Sequence, residues 1–91
     1  MNNEVMVTLR AEGFSKDFIL PTDVPLCELY PRLHKVLVAV NQRHFGGYSG
    51  VVLESEGAGL VNLRATLHDY GIRIGAYLDI AEKEKYHGFR G

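Results

Sequence analysis

The stretch "RATLHDYGIRIGAYLDIAE", residues 64–82, decides how this chain folds. Thr66 precedes Asp69 by three residues, a capping box with a shorter acid, in which each side chain can accept the other residue's backbone N–H. Gly71 is placed to end that turn in the left-handed region, and Gly75 to make a second tight corner, because neither has a Cβ to oppose positive φ. Beyond them Ala76, Leu78 and Ile80 alternate with Tyr77, Asp79 and Ala81, the period of a half-buried strand with the first three inward. A turn fixed at both ends and followed by such a run delivers a closing strand to a sheet.

The rest of that sheet is legible upstream. Residues 4–12, "EVMVTLRAE", alternate with Val5, Val7, Leu9 and Ala11 on one face and Met6, Thr8, Arg10 and Glu12 on the other. "GFS" at 13–15 supplies a tight turn, and "KDFIL" continues as the second arm of a hairpin that Pro21 stops, having no N–H to give a ladder. "TDVP" at 22–25 reads as a helix start, with Thr22 or Asp23 capping and Pro25 in the first turn. Leu26, Leu29, Leu33, Val36, Leu37 and Val40 then form one helical stripe that faces the sheet, while Glu28, Arg32 and Lys35 fall outside it. Pro31 interrupts that helix and predicts a kink or a loosened first turn. "NQRHFGGYSG", 41–50, has no period and reads as a loop; "VVLES" is a third strand, "EGAG" a turn and "LVNL", 60–63, a brief fourth strand. The order predicts an α+β domain, a mixed sheet of four to five strands with one helix across one face and the last strand parallel to the first.

Composition narrows the function. At 91 residues, 46% apolar and 23% charged, with ten basic and eleven acidic side chains interspersed, the chain fits one domain and lacks the basic field of a nucleic-acid binder. The start has no signal-peptide pattern, and the longest aliphatic run, Val36–Val40, is far short of the roughly 20 residues needed to cross a bilayer, so no membrane insertion is expected. The single Cys27 forms no internal disulfide, suits a reducing cytoplasm, and reads as a buried or half-buried structural thiol. His34, His44, His68 and His87 have no metal-ligand spacing and read as surface histidines; no cofactor or metal is expected. "HFGGYSG" lacks the Lys and following helix of a phosphate loop, and no nucleophile–base pair supports a hydrolase or transferase.

Two motifs carry a family resemblance. "TLHDYGIRIGAYLDI", 66–80, resembles the ubiquitin-like signature through Thr66, Leu67, Asp69, Tyr70, Ile72 and Leu78. "LPTDVPLCELYPRL", 20–33, resembles the LP-x-D-V-P-x-x-E-L-x-P-x-L motif of the ubiquitin-like YukD/EsaB proteins of type VII secretion and of the N-terminal cytosolic domain of EccD membrane proteins, a motif that includes Pro31. The resemblance implies a ubiquitin-like β-grasp over residues 1–82 with a polar tail, 83–91, that frays. It also implies a cytoplasmic, non-enzymatic adaptor or regulator of a bacterial type VII secretion system, acting by protein–protein contact with secretion components. The contact surface expected is the sheet face opposite the helix, with Met6, Thr8, Arg10, Asp79 and Ala81 outward; a homodimer would use the same face. The alternative is a modifier or sulfur carrier activated at Gly91; against it, the tail has no paired glycines and carries bulky Tyr86 and Phe89.

Overall fold

The alternating N-terminal run becomes β1 (Glu4–Ala11), which pairs antiparallel with β2 (Phe14–Pro21) from Ala11↔Phe14 to Glu4↔Pro21. The computed structural model describes residues 3–86. The hairpin turn is Glu12–Gly13, with Gly13 at φ 72°, so Phe14 and Ser15 already belong to the strand and the turn is shorter than "GFS". Pro21 ends β2 as its missing N–H requires.

Leu26–Val40 forms helix α1, which runs unbroken through Pro31. Its buried side is Leu26, Leu29, Tyr30, Leu33 and Leu37; Val36 and Val40, expected in the stripe, are about half exposed. At about 100° per residue, Tyr30 falls within about 40° of the line through Leu26, Leu33 and Leu37, whereas Val36 falls about 80° away. The cap also differs from expectation. Pro25 occupies the N-cap with no side-chain bond, and neither Thr22 nor Asp23 serves; the Leu26 and Cys27 N–H groups donate instead to the carbonyls of Ala65 (2.9 Å) and Leu63 (3.0 Å). A distant loop therefore caps the helix.

The stretch read as a plain loop contains a short helix, α2 (Gln42–Phe45), capped by the Asn41 side chain accepting from the His44 N–H at 3.1 Å. Phe45 is fully buried, edge-on to Phe14 (5.1 Å between ring centres) and Tyr48 (5.5 Å). β3 (Val51–Ser55) follows as expected. Glu56 and Gly57, both at positive φ, reverse the chain at once, so the fourth strand is the two-residue β4 (Ala58–Gly59) rather than "LVNL". The Leu60 N–H still reaches the Leu53 carbonyl at 2.8 Å before the chain leaves the sheet.

The opening stretch forms as read. The Thr66 N–H donates to Asp69 Oδ2 and the Asp69 N–H to Thr66 Oγ1, each at 3.0 Å, and Gly71 and Gly75 sit at φ 73° and 86°. The Gly75 N–H bonds the Met6 carbonyl (2.8 Å) and the Thr8 N–H bonds the Ala76 carbonyl (2.9 Å), so the corner docks on β1 before the strand begins. β5 (Tyr77–Glu82) lies parallel to β1, with Leu9 beside Leu78, and antiparallel to β3. The five strands run in the order β2-β1-β5-β3-β4 with α1 across one face, an α+β ubiquitin-like β-grasp whose core includes Leu9, Leu26, Leu37, Phe45, Leu53, Leu67 and Leu78.

The segment after Glu82 was expected to fray, with the domain ending there. Lys83–Tyr86 instead make a 3₁₀ turn, tied to the domain by the Lys83 N–H on the Gly50 carbonyl at 3.0 Å. The remaining tail, with His87 and the Gly91 proposed as a modifier terminus, lies outside the described residues. No helix among the described residues is long and apolar enough to cross a membrane.

Candidate contact face

Strand alternation sends Met6, Thr8 and Arg10 of β1, Asp17 and Ile19 of β2, and Tyr77 and Asp79 of β5 to the side of the sheet away from α1. These residues meet in register: Met6 opposite Ile19, Thr8 between Asp17 and Tyr77, Arg10 beside Asp79. Ile19 is 62% exposed, Tyr77 60% and Met6 45%. Polar groups pair across the rest of the face. Thr8 Oγ1 donates to Asp17 Oδ1 at 2.7 Å, Arg10 Nε donates to Asp79 Oδ1 at 3.2 Å, and the Arg10 guanidinium lies 4.9 Å from the centre of the Tyr77 ring. Arg10 is thus fixed between an acid and a ring, with apolar surface beside it.

Four of the five residues expected to face outward, Met6, Thr8, Arg10 and Asp79, come together here. Ala81 does not: it is only 8% exposed. It pairs with Val52 in β3, whose first four residues are all buried, and the chain turns back after β5 to set Lys85 and Tyr86 on Glu54 of the same strand. Both faces of that end of the sheet are covered, and the open face is confined to β2, β1 and the start of β5. Ile19 and Tyr77 stand exposed on the same face and were not among the five residues expected there. Tyr77 was legible as outward, but Ile19 required the hairpin register, which a turn placed at 13–15 obscures.

The covered end holds a buried charge that the sequence did not announce. Glu54, 7% exposed, accepts from Lys85 Nζ at 2.7 Å and from the Tyr86 hydroxyl. Burial alone would raise its carboxyl, but those two bonds and the Lys85 charge outweigh it and hold the group below its ordinary value. Burial, then the bond to Glu54 and its charge, push the Tyr86 phenol up to about 12. The other candidates divide. Cys27 is exposed, not buried as a structural thiol would be, because residue 27 points outward from the helix. His34 and His44 are half-buried rather than surface groups, bonded to the Phe45 carbonyl (3.2 Å) and the Tyr48 hydroxyl (3.3 Å), while His68 is exposed. Among the described residues no three His, Cys, Asp or Glu stand close enough to hold a metal ion.

The protein family described as WXG100 protein secretion system (Wss), protein YukD, matches residues 5–80, which is nearly the whole sheet and helix. The chain belongs to the YukD family. The YukD match spans both motifs, from the first inward valine of β1 to Ile80 of β5. In three dimensions this YukD-family chain resembles the ubiquitin-like domain of the Mycobacterium tuberculosis type VII secretion system protein ECCD1, with a TM-score of 0.72 and 23% identity over 87% of this chain and 98% of that one. A chain of the MycP5-free ESX-5 inner membrane complex scores 0.72 with 23% identity, covering 89% of this chain and 21% of that chain. A ubiquitin-like protein from Trypanosoma brucei scores 0.65 with 16% identity over 91% of this chain and 99% of that one. At these identities the likenesses establish the fold. No curated protein matches the chain in sequence.

Proposed function

We propose that this YukD-family chain is a cytoplasmic, non-enzymatic adaptor of a type VII secretion system, acting by protein–protein contact through the open face of β2, β1 and β5. The observation that carries this reading is the cluster of Ile19, Met6 and Tyr77, three large side chains left in water on one sheet face beside the Arg10–Asp79 pair. An antiparallel or mixed sheet covered by a helix on one side normally presents polar groups on the other, so apolar and aromatic side chains there favour a docking role. Aromatic rings, Met and Arg are also the residue types enriched in protein interfaces. The family description and the likeness to the ECCD1 domain supply the context of a secretion apparatus.

The test is affinity capture from bacteria carrying the secretion locus, comparing the native chain with Ile19→Glu and Tyr77→Asp. Native chain should recover secretion-system components, and each variant, still folded by circular dichroism, should lose about tenfold or more of that recovery. Undiminished recovery by both variants, or no secretion component with the folded native chain, rules the reading out. Sedimentation of the isolated chain separates this from self-association: a dimer broken by the same substitutions would make the face a homodimer surface.

A further inference from the structure

The Thr8 N–H bonds the Ala76 carbonyl and the Met6 carbonyl accepts from the Gly75 N–H, so these residues of β1 turn their backbone groups to β5. Val5, Val7 and Leu9, which alternate with them, turn theirs to β2, opposite Leu20, Phe18 and Lys16. The intervening residues of β2, Ser15, Asp17 and Ile19, therefore point N–H and C=O out of the sheet, and all three are exposed. β2 is an end strand in the sheet order, and these backbone groups have no partner among the described residues. β4, at the other end, is only two residues long. Natural sheets blunt a long edge with bulges, covering elements or charges. β2 pairs with β1 along its whole length without a bulge, and charges, Lys16 and Asp17, stand at the middle of its edge.

Apolar surface lies beside this edge on the helix side. α1 turns Cys27, Tyr30 and His34 to the groove that it forms with Val51 and Val52 of β3. Val36 comes nine residues after Cys27, two and a half turns on, and so stands on the opposite flank, toward β2, with Val40 about one turn further. Both are exposed, Val36 by 47% and Val40 by 45%. Phe18, opposite the buried Val7, lies on the helix side of β2 and is only partly buried. An unbonded strand edge is matched by an extended backbone, and half-exposed valines beside it by aliphatic side chains on one side of that backbone.

The charges set the partner apart from a second copy of this chain. Neither Lys16 nor Asp17 makes an ion pair among the described residues; Asp17 accepts from the Thr8 hydroxyl, and Glu28 and Arg32 on α1 pair with each other. Two copies joined antiparallel through all three open residues would set their Asp17 side chains directly opposite, which is repulsive.

We infer that the β2 edge binds an extended segment of a partner protein as a sixth strand. Alternate aliphatic side chains of the segment pack on Phe18, Val36 and Val40, and a basic residue on its other side stands beside Asp17. The binding runs through backbone groups and the helix side of β2, so it does not depend on the face of Met6, Thr8 and Tyr77.

The experiment titrates the isotope-labelled full chain with a synthetic peptide of isoleucines alternating with threonines, the central threonine replaced by arginine. Amide shifts should concentrate at residues 15–19, Val36 and Val40, and exchange of the Ser15, Asp17 and Ile19 N–H groups should slow about tenfold or more. N-methylating the threonine and arginine amides, which face the edge, should raise Kd about tenfold or more, whereas methylating the isoleucine amides, which face away, should leave it within about twofold. Val36→Glu, at an exposed helix position and still folded by circular dichroism, should weaken binding about tenfold. The inference is overturned by no shifts at millimolar peptide, by equal affinity of the two methylated peptides, by full affinity of Val36→Glu, or by shifts centred on Met6 and Tyr77 without slowed exchange. Protection of the same three amides in the free chain, growing with its concentration, would make the edge a surface between copies and overturn it too.

Discussion

Tyr30 joins the helix to the short strands. Its hydroxyl donates to the Leu60 carbonyl at 2.6 Å and accepts from the Leu53 N–H, and burial pushes its phenol well above the ordinary value although the Leu53 bond opposes the shift. Tyr30→Phe leaves a buried N–H and a buried carbonyl without partners and should destabilise the fold by about 2 kcal/mol in urea unfolding. Glu54 gives the pH dependence. Its folded carboxyl titrates below the ordinary 4.5, so on acidification the unfolded state takes up the proton first. The stabilisation is complete above the unfolded value and is lost as pH falls through the folded one. Native chain and Glu54→Gln should therefore differ most in stability near neutrality and converge as pH falls below 4.5 and through the lowered folded value, read from denaturation midpoints across pH. Parallel curves would mean that Lys85 and Tyr86 contribute nothing through that carboxylate.

Helix α1 tests the difference between pattern and packing. Leu37 is fully buried and its neighbour Val36 half exposed, so Leu37→Ala should destabilise by about 2–5 kcal/mol and Val36→Ala by under about 1 kcal/mol in the same unfolding assay. The sequence places both residues in one stripe, and only the line of contact with the sheet separates them. At the far edge, Gly59 lies under the Tyr86 ring: a Cβ there would come within 2.5 Å of its atoms. Gly59→Ala should push the ring off Glu54, and the Tyr86 phenol, followed by its ring resonances, should titrate closer to 10 than to 12. An unchanged titration would show that the ring keeps its bond by shifting sideways.

For the whole molecule, the joint that matters is β1 with β5, residues 69 apart in sequence yet bonded through Arg10 and Asp79. The 3₁₀ turn closes the molecule on the other side of β5. A chain ending at Glu82 loses the Lys83–Gly50 bond and the Lys85 and Tyr86 bonds to Glu54, whose carboxylate then opens to water, which should destabilise it by about 1–2 kcal/mol; an unchanged unfolding midpoint would mean that Lys83–Tyr86 are dispensable. The elements themselves were legible. Alternation in 4–11, the leucines of α1, the Thr66–Asp69 box and the glycines at 71 and 75 are local features whose physics acts within a few residues, and each formed where it was read. Most of the proposed contact face followed from the same alternation, through Met6, Thr8, Arg10 and Asp79. Tertiary structure decided the rest: that Ala65 and Leu63 cap α1, that Phe45 fills the core from an aperiodic stretch, and that Ala81 is covered while Ile19 stands open. Each of these depends on a partner far along the chain, and burial belongs to the packed pair of surfaces, while the spacing of residues along one strand or helix describes a single surface.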